Sequence, residues 1–280
     1  MPELPEVETT RLGIYPHLYQ QEIQAITIRE IRLRWPIDLD IPRLFKNKKI
    51  TEISRRGKYL IIACNDLKLM IHLGMSGSLR IIPAEKSLTS LPEKHDHFDL
   101  VLKNGTILRY RDPRRFGALL YFYGDPQQHK LLTSLGPEPL SDAFQLNDFY
   151  QKSRGKTTTI KQYIMDAHQV VGVGNIYANE ALFLSSIRPG TAAGRVSLRS
   201  FSKLHQIIKT VLINAIAKGG TTLKDFIAPS TLNNQNQAGY FQQELFVYDR
   251  AGKSCKVCGA IIKAKKISQR NSFYCPQCQR

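Results

Sequence analysis

The last 26 residues of this 280-residue chain contain four of its five cysteines. They form two Cys-x2-Cys pairs separated by sixteen residues: Cys255, Cys258, Cys275 and Cys278. Such pairs can place four thiolates around one Zn²⁺ at the corners of a tetrahedron. The alternative is two disulfides, which we disfavour because no secretion signal is visible and a reducing compartment opposes disulfides. Since the four thiolates fill all four coordination positions of the metal, none is open for catalysis. We therefore expect one structural Zn²⁺ in a C-terminal ribbon.

The N-terminus offers a second chemical group. Initiator methionine is normally removed before a residue as small as Pro2, which leaves a secondary amine. An α-amine titrates at about pH 8, so part of it is nucleophilic at neutral pH. Attack on a sugar C1′ would give an iminium, and Glu3 could stabilise or protonate the sugar ring oxygen. Taken alone, however, the proline can be a simple product of processing and Glu3 a solvated charge.

Two short loops could enter a base stack. Phe116 lies beside arginines in Arg111–Gly117, and Met75 lies at the tip of His72–Gly77. An apolar side chain on a tight loop can fill the space left by an extruded base. Both side chains could instead be core residues. The His95-Asp96-His97 motif is weak as a metal site, and a phosphate contact is the better interpretation.

A glycine-punctuated stretch, residues 170–175, leads directly into a predicted helix start. Backbone N–H groups at such a turn lie at the positive end of the helix dipole and can bind a phosphate. An ordinary loop between helices explains the same pattern. The glycines do not imply a dinucleotide fold, because no strand precedes them and no βαβ unit surrounds them.

The charge of the chain favours a polyanionic partner. It contains 40 Lys and Arg against 23 Asp and Glu, a net charge of +17. Neutralising phosphates with such side chains releases condensed counterions, so nucleic acid is the first partner expected. No apolar run approaches transmembrane length and no lipidation motif is visible. We therefore expect a soluble cytoplasmic protein without a membrane partner.

Residues 1–137 have the pattern of a β-sandwich with a preceding helix over about Glu6–Gln20. Asn104-Gly105 joins two predicted strands, the first of which alternates apolar and more polar residues. The pair predicts a hairpin with a two-residue type I′ turn. The predicted strands are Lys49–Ser54, Lys58–Cys64, Leu67–Leu73, Ser78–Ile82, Phe98–Lys103 and Thr106–Arg111.

From about Ser141 the apolar residues recur with the spacing of an α-helix. Ser197 can cap a helix that ends at Gly219-Gly220, and another helix is predicted from Asn175 to just before Pro189. The first of these has an apolar stripe: Leu198, Phe201, Leu204, Ile208, Val211, Leu212 and Ala215. Residues 228–239 are rich in Asn, Gln, Ser and Thr and are typical of a loop.

Seven segments together resemble the formamidopyrimidine-DNA glycosylase family, in the family's order and over almost the whole chain. They are Met1–Glu8, Gly57–Tyr59, His72–Gly77, Lys94–His97, Asp112–Gly117, Val171–Tyr177 and the ribbon. The resemblance implies an α+β protein with an N-terminal β-sandwich, flanking helices, a helix–two-turn–helix region and a four-cysteine zinc ribbon. The implied parts are 1–137, 138–227, a lesion-proximal loop at 228–245, and 246–280.

The resemblance also implies an activity. Members remove oxidised purines such as 8-oxoguanine and formamidopyrimidines from duplex DNA, then nick the strand by β,δ-elimination, acting as monomers. Pro2 would be the Schiff-base nucleophile, Glu3 the acid, Lys58 and Arg270 the groups that assist elimination, and Glu6 and Glu180 supporting residues. The implied DNA or phosphate contacts are His95, Arg114, Lys156, Lys161 and Asn175. Met75, Arg114 and Phe116 would fill the vacated stack, with Arg114 facing the orphaned cytosine.

Departures from the family pattern lie outside the implied catalytic positions. Asp249 replaces a common glycine, Ser254 a common proline, and the 228–239 loop differs more. One rival is the related endonuclease-VIII-like branch, which favours oxidised pyrimidines; Leu4-Pro5 and the intact Arg114–Phe116 segment favour the purine branch. Another rival is a zinc-ribbon DNA-binding protein without activity, which the presence of Pro2, Glu3 and Lys58 disfavours.

Overall fold

The computed structural model describes residues 2–220 and 245–280. Two compact units are present, one formed by residues 2–133 and the other by residues 134–220 together with 245–280. The predicted loop at 228–239 lies outside the described residues.

The first unit contains two four-stranded antiparallel sheets. One has the order β1-β6-β7-β5 and the other β2-β3-β4-β8. Their bounds are β1 Ile23–Ile28, β2 Glu52–Arg56, β3 Tyr59–Cys64, β4 Leu67–His72, β5 Ser78–Ile82, β6 Asp96–Leu102, β7 Ile107–Arg111 and β8 Ala118–Tyr123.

Residues from both sheets share one apolar core. Leu60 and Ile62 contribute from one sheet, and Leu100 and Leu108 contribute from the other. The predicted β-sandwich is therefore confirmed.

Two helices pack on this sandwich. Helix α1, Leu4–Leu18, begins two residues before the predicted start and packs against β2, β3 and β5. A short helix α2, Ile41–Phe45, packs on β1. The predicted N-terminal helix is thus present, and its first turn lies directly after Pro2 and Glu3.

The turn of the β6–β7 hairpin differs from the prediction. Gly105 has φ 85°, but Asn104 is not among the residues with positive φ, as a type I′ turn requires. The N–H of Gly105 donates to the carbonyl of Leu102, and the Asn104 side chain accepts the N–H of Thr106 at 3.0 Å. The predicted type I′ turn is therefore wrong, because the Asn104 side chain stabilises a longer turn in which glycine alone is left-handed.

The second unit is built on four helices: α3 Leu146–Gln151, α4 Ile160–Met165, α5 Asn175–Leu184 and α6 Leu198–Ala217. The Ser197 side chain accepts the N–H of Ser200, so the predicted N-cap of α6 is confirmed. Gly219 follows the helix with φ 76°, as a C′ glycine does. One member of the predicted stripe is wrong: Leu198 is 53% exposed, because the first turn projects beyond the core.

The C-terminal ribbon is a two-stranded hairpin of β9, Lys263–Ile267, and β10, Arg270–Tyr274. Ser268 and Gln269 form its turn, both with positive φ. The hairpin therefore presents Arg270 immediately after a tight, left-handed turn. Within the described ranges, no helix has both the length and the apolar character that a bilayer crossing needs.

Candidate active site and nucleic-acid interface

The N-terminal residues are buried and fixed by the start of α1. Pro2 is buried, and Glu3 is 1% exposed. A carboxylate oxygen of Glu6 accepts the backbone N–H of Glu3 at 2.8 Å, one half of a capping box. Glu6 therefore fixes the direction in which the chain enters the helix, and with it the positions of Pro2 and Glu3.

An ion pair connects α1 to the turn that carries Lys58. The Arg55 guanidinium donates to Glu8 at 3.0 Å and to the carbonyl of Gly57 at 2.8 Å. Burial raises the pKa of Glu8, but hydrogen bonds and charges from Arg11 and Arg55 outweigh it and hold that pKa below its usual range. The half-buried Lys58 therefore lies in a turn that is anchored to the helix capped by Glu3.

His72 pairs with Tyr59 across β3 and β4, next to Lys58. Burial, followed by the charges of Lys58 and Arg34, lowers the pKa of His72 to about 4. The ring is therefore neutral at pH 7. Its Nδ1 accepts the N–H of Gly74 at 3.0 Å, which fixes the start of the loop that carries Met75.

The structure brings the two predicted wedge loops together. Met75 is 36% exposed and Phe116 46% exposed, so neither is a core residue. The Arg114 guanidinium lies 5.1 Å from the centre of the Phe116 ring, within cation–π distance. A Cβ added to Gly74 would lie 2.4 Å from the carbonyl carbon of Phe116, so the loop backbones are in direct contact.

His95 and His97 are not arranged as a metal site. His97 Nε2 donates to the carbonyl of Asp112 at 2.7 Å. His95 has φ 75° and a partly exposed side chain. Among the described residues, the only group of His, Cys, Asp and Glu side chains that could hold a metal ion is the cysteine cluster. A phosphate contact by His95 stays a prediction.

In the second unit, polar side chains from α4 and α5 hold the ribbon hairpin next to Arg270. The Asn175 side chain donates to the carbonyl of Asn271 at 3.2 Å. The Asn179 side chain, one turn later, accepts the N–H of Phe273 at 2.7 Å. Arg270 itself is exposed and lines a cleft of about 240 Å³ with residues of α4.

Lys161 differs from its prediction as a DNA contact. The residue is 1% exposed, and its ammonium donates to the carbonyl of Asn271 at 2.9 Å and to Ser272 Oγ at 2.7 Å. A buried ammonium needs such partners, and a side chain held in this way does not face solvent as a phosphate ligand would. Lys161 instead fixes the hairpin that carries Arg270. Lys156, by contrast, is exposed, as its prediction requires.

The glycine-rich stretch turns into α5 as expected. Gly172 has φ 83°, and Gly174 is the N-cap of the helix. Its phosphate-binding role stays a prediction. Further along α5, the buried carboxylate of Glu180 accepts three backbone N–H groups, from Phe246, Val247 and Tyr248, at 2.8–3.0 Å. Glu180 therefore anchors the segment that precedes the ribbon.

The four cysteines have the geometry of a metal site. Their sulfur atoms all lie within 4.8 Å of one another. The Cys255–Cys278 and Cys258–Cys275 separations are 3.9 and 3.4 Å. The two separations lie on either side of the edge of about 3.8 Å expected for a tetrahedron with Zn–S bonds of about 2.3 Å, and both are much longer than a disulfide bond. The four side chains fit a tetrahedral thiolate-bound ion such as Zn²⁺.

Three family profiles match the chain. Residues 1–119 match the formamidopyrimidine-DNA glycosylase N-terminal domain, residues 135–227 the H2TH domain of the same enzymes, and residues 252–280 a zinc finger found in FPG and IleRS. The fold and site thus define a DNA glycosylase with a zinc finger.

Curated relatives and solved structures agree. Formamidopyrimidine-DNA glycosylases of Photobacterium damsela subsp. piscicida and Pseudomonas savastanoi pv. phaseolicola are 52% and 51% identical over the full length of both chains. A Lactococcus lactis Fpg in complex with DNA containing N7-benzyl-Fapy-dG gives a TM-score of 0.90 at 33% identity, covering all of both chains. The Thermus thermophilus MutM (Fpg) structure gives 0.85 at 35% identity, covering 99% of this chain and 98% of that one. This chain belongs to the formamidopyrimidine-DNA glycosylase family.

Several residues that organise the site were not predicted as site residues. They are Asn179, which bonds to Phe273 of the ribbon hairpin, Ser272, which bonds to Lys161, and Ser76, which bonds to Asp112. Asn179 could have been found from its spacing, since it lies one helical turn after Asn175. The departure at Asp249 also has a physical basis: its φ is 55°, a conformation that favours glycine and that aspartate tolerates better than most residues.

Proposed function

We propose that this protein is a bifunctional glycosylase and lyase that removes oxidised purines, among them 8-oxoguanine and formamidopyrimidines, from duplex DNA. The observation that carries the proposal is the N-terminal Pro2-Glu3 pair, buried and fixed by Glu6 at the start of α1 in a chain of this family. A buried site strengthens the electrostatic effect of Glu3 on a developing charge.

The proposed reaction begins after Met1 has been removed. The Pro2 nitrogen attacks C1′ of the damaged nucleotide, the C1′–base bond breaks, and the base leaves with a proton. Glu3 assists opening of the sugar ring, so that an iminium joins C1′ to Pro2. The iminium acidifies the C2′ proton, and its removal expels the 3′ phosphate; a second elimination expels the 5′ phosphate. We propose that Lys58 assists the first elimination and Arg270 the second.

The remaining proposed parts bind and position DNA. His95, Arg114, Lys156 and Asn175 would contact DNA or phosphate, and Met75, Arg114 and Phe116 would occupy the stack vacated by the lesion. One structural Zn²⁺ would hold the hairpin that carries Arg270 and would not enter the reaction. We propose a monomer acting on damaged duplex DNA in the cytoplasm.

Single-turnover excision tests the lesion class. Two duplexes share the same partner strand and differ only in the lesion, which is 8-oxoguanine in one and an oxidised pyrimidine in the other. Base release and strand cleavage are measured for both. We expect faster release of the purine, with phosphate at both ends of the gap. Faster release of the pyrimidine would support the endonuclease-VIII-like alternative, and binding without release would support a non-catalytic DNA-binding protein.

A further inference from the structure

Asp112 lies between the two loops that carry Met75 and Phe116, and its side chain is fully buried. One carboxylate oxygen accepts the hydroxyl of Ser76 at 2.6 Å and the N–H of Arg114 at 3.3 Å. The other accepts the N–H of Gly117 at 2.8 Å and the hydroxyl of Tyr110 at 3.2 Å. A single carboxylate therefore bonds to both loops.

The backbone of Asp112 extends the same connection to a third segment. Its N–H donates to the carbonyl of His95 at 3.1 Å, and its carbonyl accepts the Nε2–H of His97 at 2.7 Å. The N–H of Arg115 donates to the same carbonyl at 3.2 Å. Asp112 thus connects the loop of the proposed phosphate contact His95 to the loop of Phe116.

The two loops pack closely against the side chain of Tyr110 beside Asp112. A Cβ on Gly117 would lie 1.7 Å from the Tyr110 hydroxyl, and one on Gly77 would lie 2.7 Å from it. Burial and the neighbouring charge of Asp112 raise the pKa of Tyr110, so its hydroxyl keeps its proton and donates. The glycines and Tyr110 pack the loops around one buried acceptor.

We propose that Asp112 is a positioning residue that makes the two loops one wedge, so that Met75 enters the base stack together with Arg114 and Phe116. The inference rests on the proposed function, because it assumes that these side chains fill the space of an extruded base. It follows that the preference for cytosine opposite the lesion depends on the bonds that Asp112 and Ser76 make to the Arg114 backbone.

Two variants test the coupling. Asp112→Asn keeps the shape of the side chain but replaces one acceptor oxygen by an NH₂ group. The Gly117 N–H then loses its Asp112 acceptor, or the Arg114 N–H loses it and keeps only Ser76 Oγ at 3.2 Å. Ser76→Ala removes the hydroxyl that lies between Asp112 and Arg114. Ser87→Ala is the matched control, because that hydroxyl bonds to the carbonyl of Ala84 in an exposed turn.

The first readout reports insertion without chemistry. A duplex carries a tetrahydrofuran abasic analogue with 2-aminopurine beside it, and its fluorescence rises when the wedge unstacks the neighbouring base. The second readout is excision of 8-oxoguanine opposite cytosine and opposite adenine. The third is borohydride trapping on a single-stranded abasic oligonucleotide, which contains no stack to fill.

We expect both test variants to lose roughly tenfold in duplex excision and most of the fluorescence rise. Asp112→Asn removes the buried charge that accepts these bonds, and Ser76→Ala removes a hydrogen bond to it. Their preference for cytosine over adenine should fall, while single-strand trapping and the Ser87→Ala control stay at the wild-type level. Unchanged fluorescence and opposite-base preference, or an equal loss on duplex and single strand, would overturn the coupling. A wild-type protein that neither releases bases nor traps would instead contradict the proposed function, while the fluorescence signal still tests the wedge.

Discussion

At the scale of single residues, the proposed chemistry depends on one covalent event. Before Met1 is removed, the Pro2 nitrogen is part of an amide, whose lone pair is delocalised into the carbonyl and is not nucleophilic. Glu6 accepts the N–H of Glu3 and so fixes the residue next to this nitrogen at the start of α1. Removal of Met1, rather than folding, would therefore create the nucleophilic amine.

A variant forced to retain Met1 should lose base release and borohydride trapping. Its affinity for damaged duplex should be kept, because the proposed DNA contacts lie elsewhere. Pro2→Gly should keep some trapping, since a primary amine can still form an imine. The measurements are trapping yield and duplex affinity for each variant. Full activity with Met1 retained would show that another group, such as Lys58, is the nucleophile.

His72 should make stability depend on pH. Its folded pKa of about 4 lies below the unfolded value of about 6.5, so the unfolded chain binds the extra proton between these values. Stability should therefore fall as pH falls from about 6.5 to about 4. His72→Asn, whose side-chain oxygen can still accept the Gly74 N–H, should show a smaller loss. Urea unfolding at pH 7 and pH 5 measures both proteins, and equal losses would contradict the assignment.

At the scale of elements, the ribbon hairpin is held from two sides. The cysteine cluster closes its base, and Lys161, Asn175 and Asn179 bond to residues 271–273 next to Arg270. A ribbon with so few apolar residues would obtain much of its folding energy from the proposed Zn²⁺. The position of Arg270 should therefore depend on zinc although Arg270 does not bind it.

Cys275→Ser should abolish duplex binding and strand cleavage and leave the β-sandwich folded. Circular dichroism checks the sandwich, and gel-shift and nicking assays check the activities. Lys161→Met gives a matched test from the other side of the hairpin, with the four cysteines intact, and should retain zinc while losing much of the cleavage. A Cys275→Ser protein that cleaves at the wild-type rate would contradict the dependence on metal.

Prediction from sequence succeeded where local signals are strong and failed where tertiary contacts decide. Ser197 and Gly219 mark the ends of α6 because capping is a local property of the chain. Leu198 matched the helical period but is exposed, since the period does not say how far the core extends. Lys161 looked like a phosphate ligand, and its burial depends on partners 110 and 111 residues away along the chain. The part played by Asp112 likewise depends on a loop that is distant in sequence.

At the scale of the whole molecule, the net charge of +17 is the dominant feature. Binding to undamaged duplex should weaken steeply with salt, because every neutralised phosphate releases counterions. Among the proposed contacts, Lys156 is exposed and therefore offers the clearest test of that footprint.

Neutralising Lys156 should make the slope of log K against log salt shallower by about one unit, the change expected for one lost phosphate contact. Lys203→Ala is the control, since Lys203 is an exposed lysine on α6 that is not among the proposed contacts. Titrations of undamaged duplex at several salt concentrations give both slopes. An unchanged slope for the Lys156 variant would remove this residue from the interface.

Locating the covalent bond between enzyme and sugar tests the proposed role of Pro2. The processed protein is trapped with borohydride on a duplex that carries 8-oxoguanine opposite cytosine, digested, and mapped by mass spectrometry. We expect the sugar remnant to be attached to the nitrogen of Pro2, on the N-terminal peptide. A remnant attached to Lys58, or to any other lysine, would contradict that role.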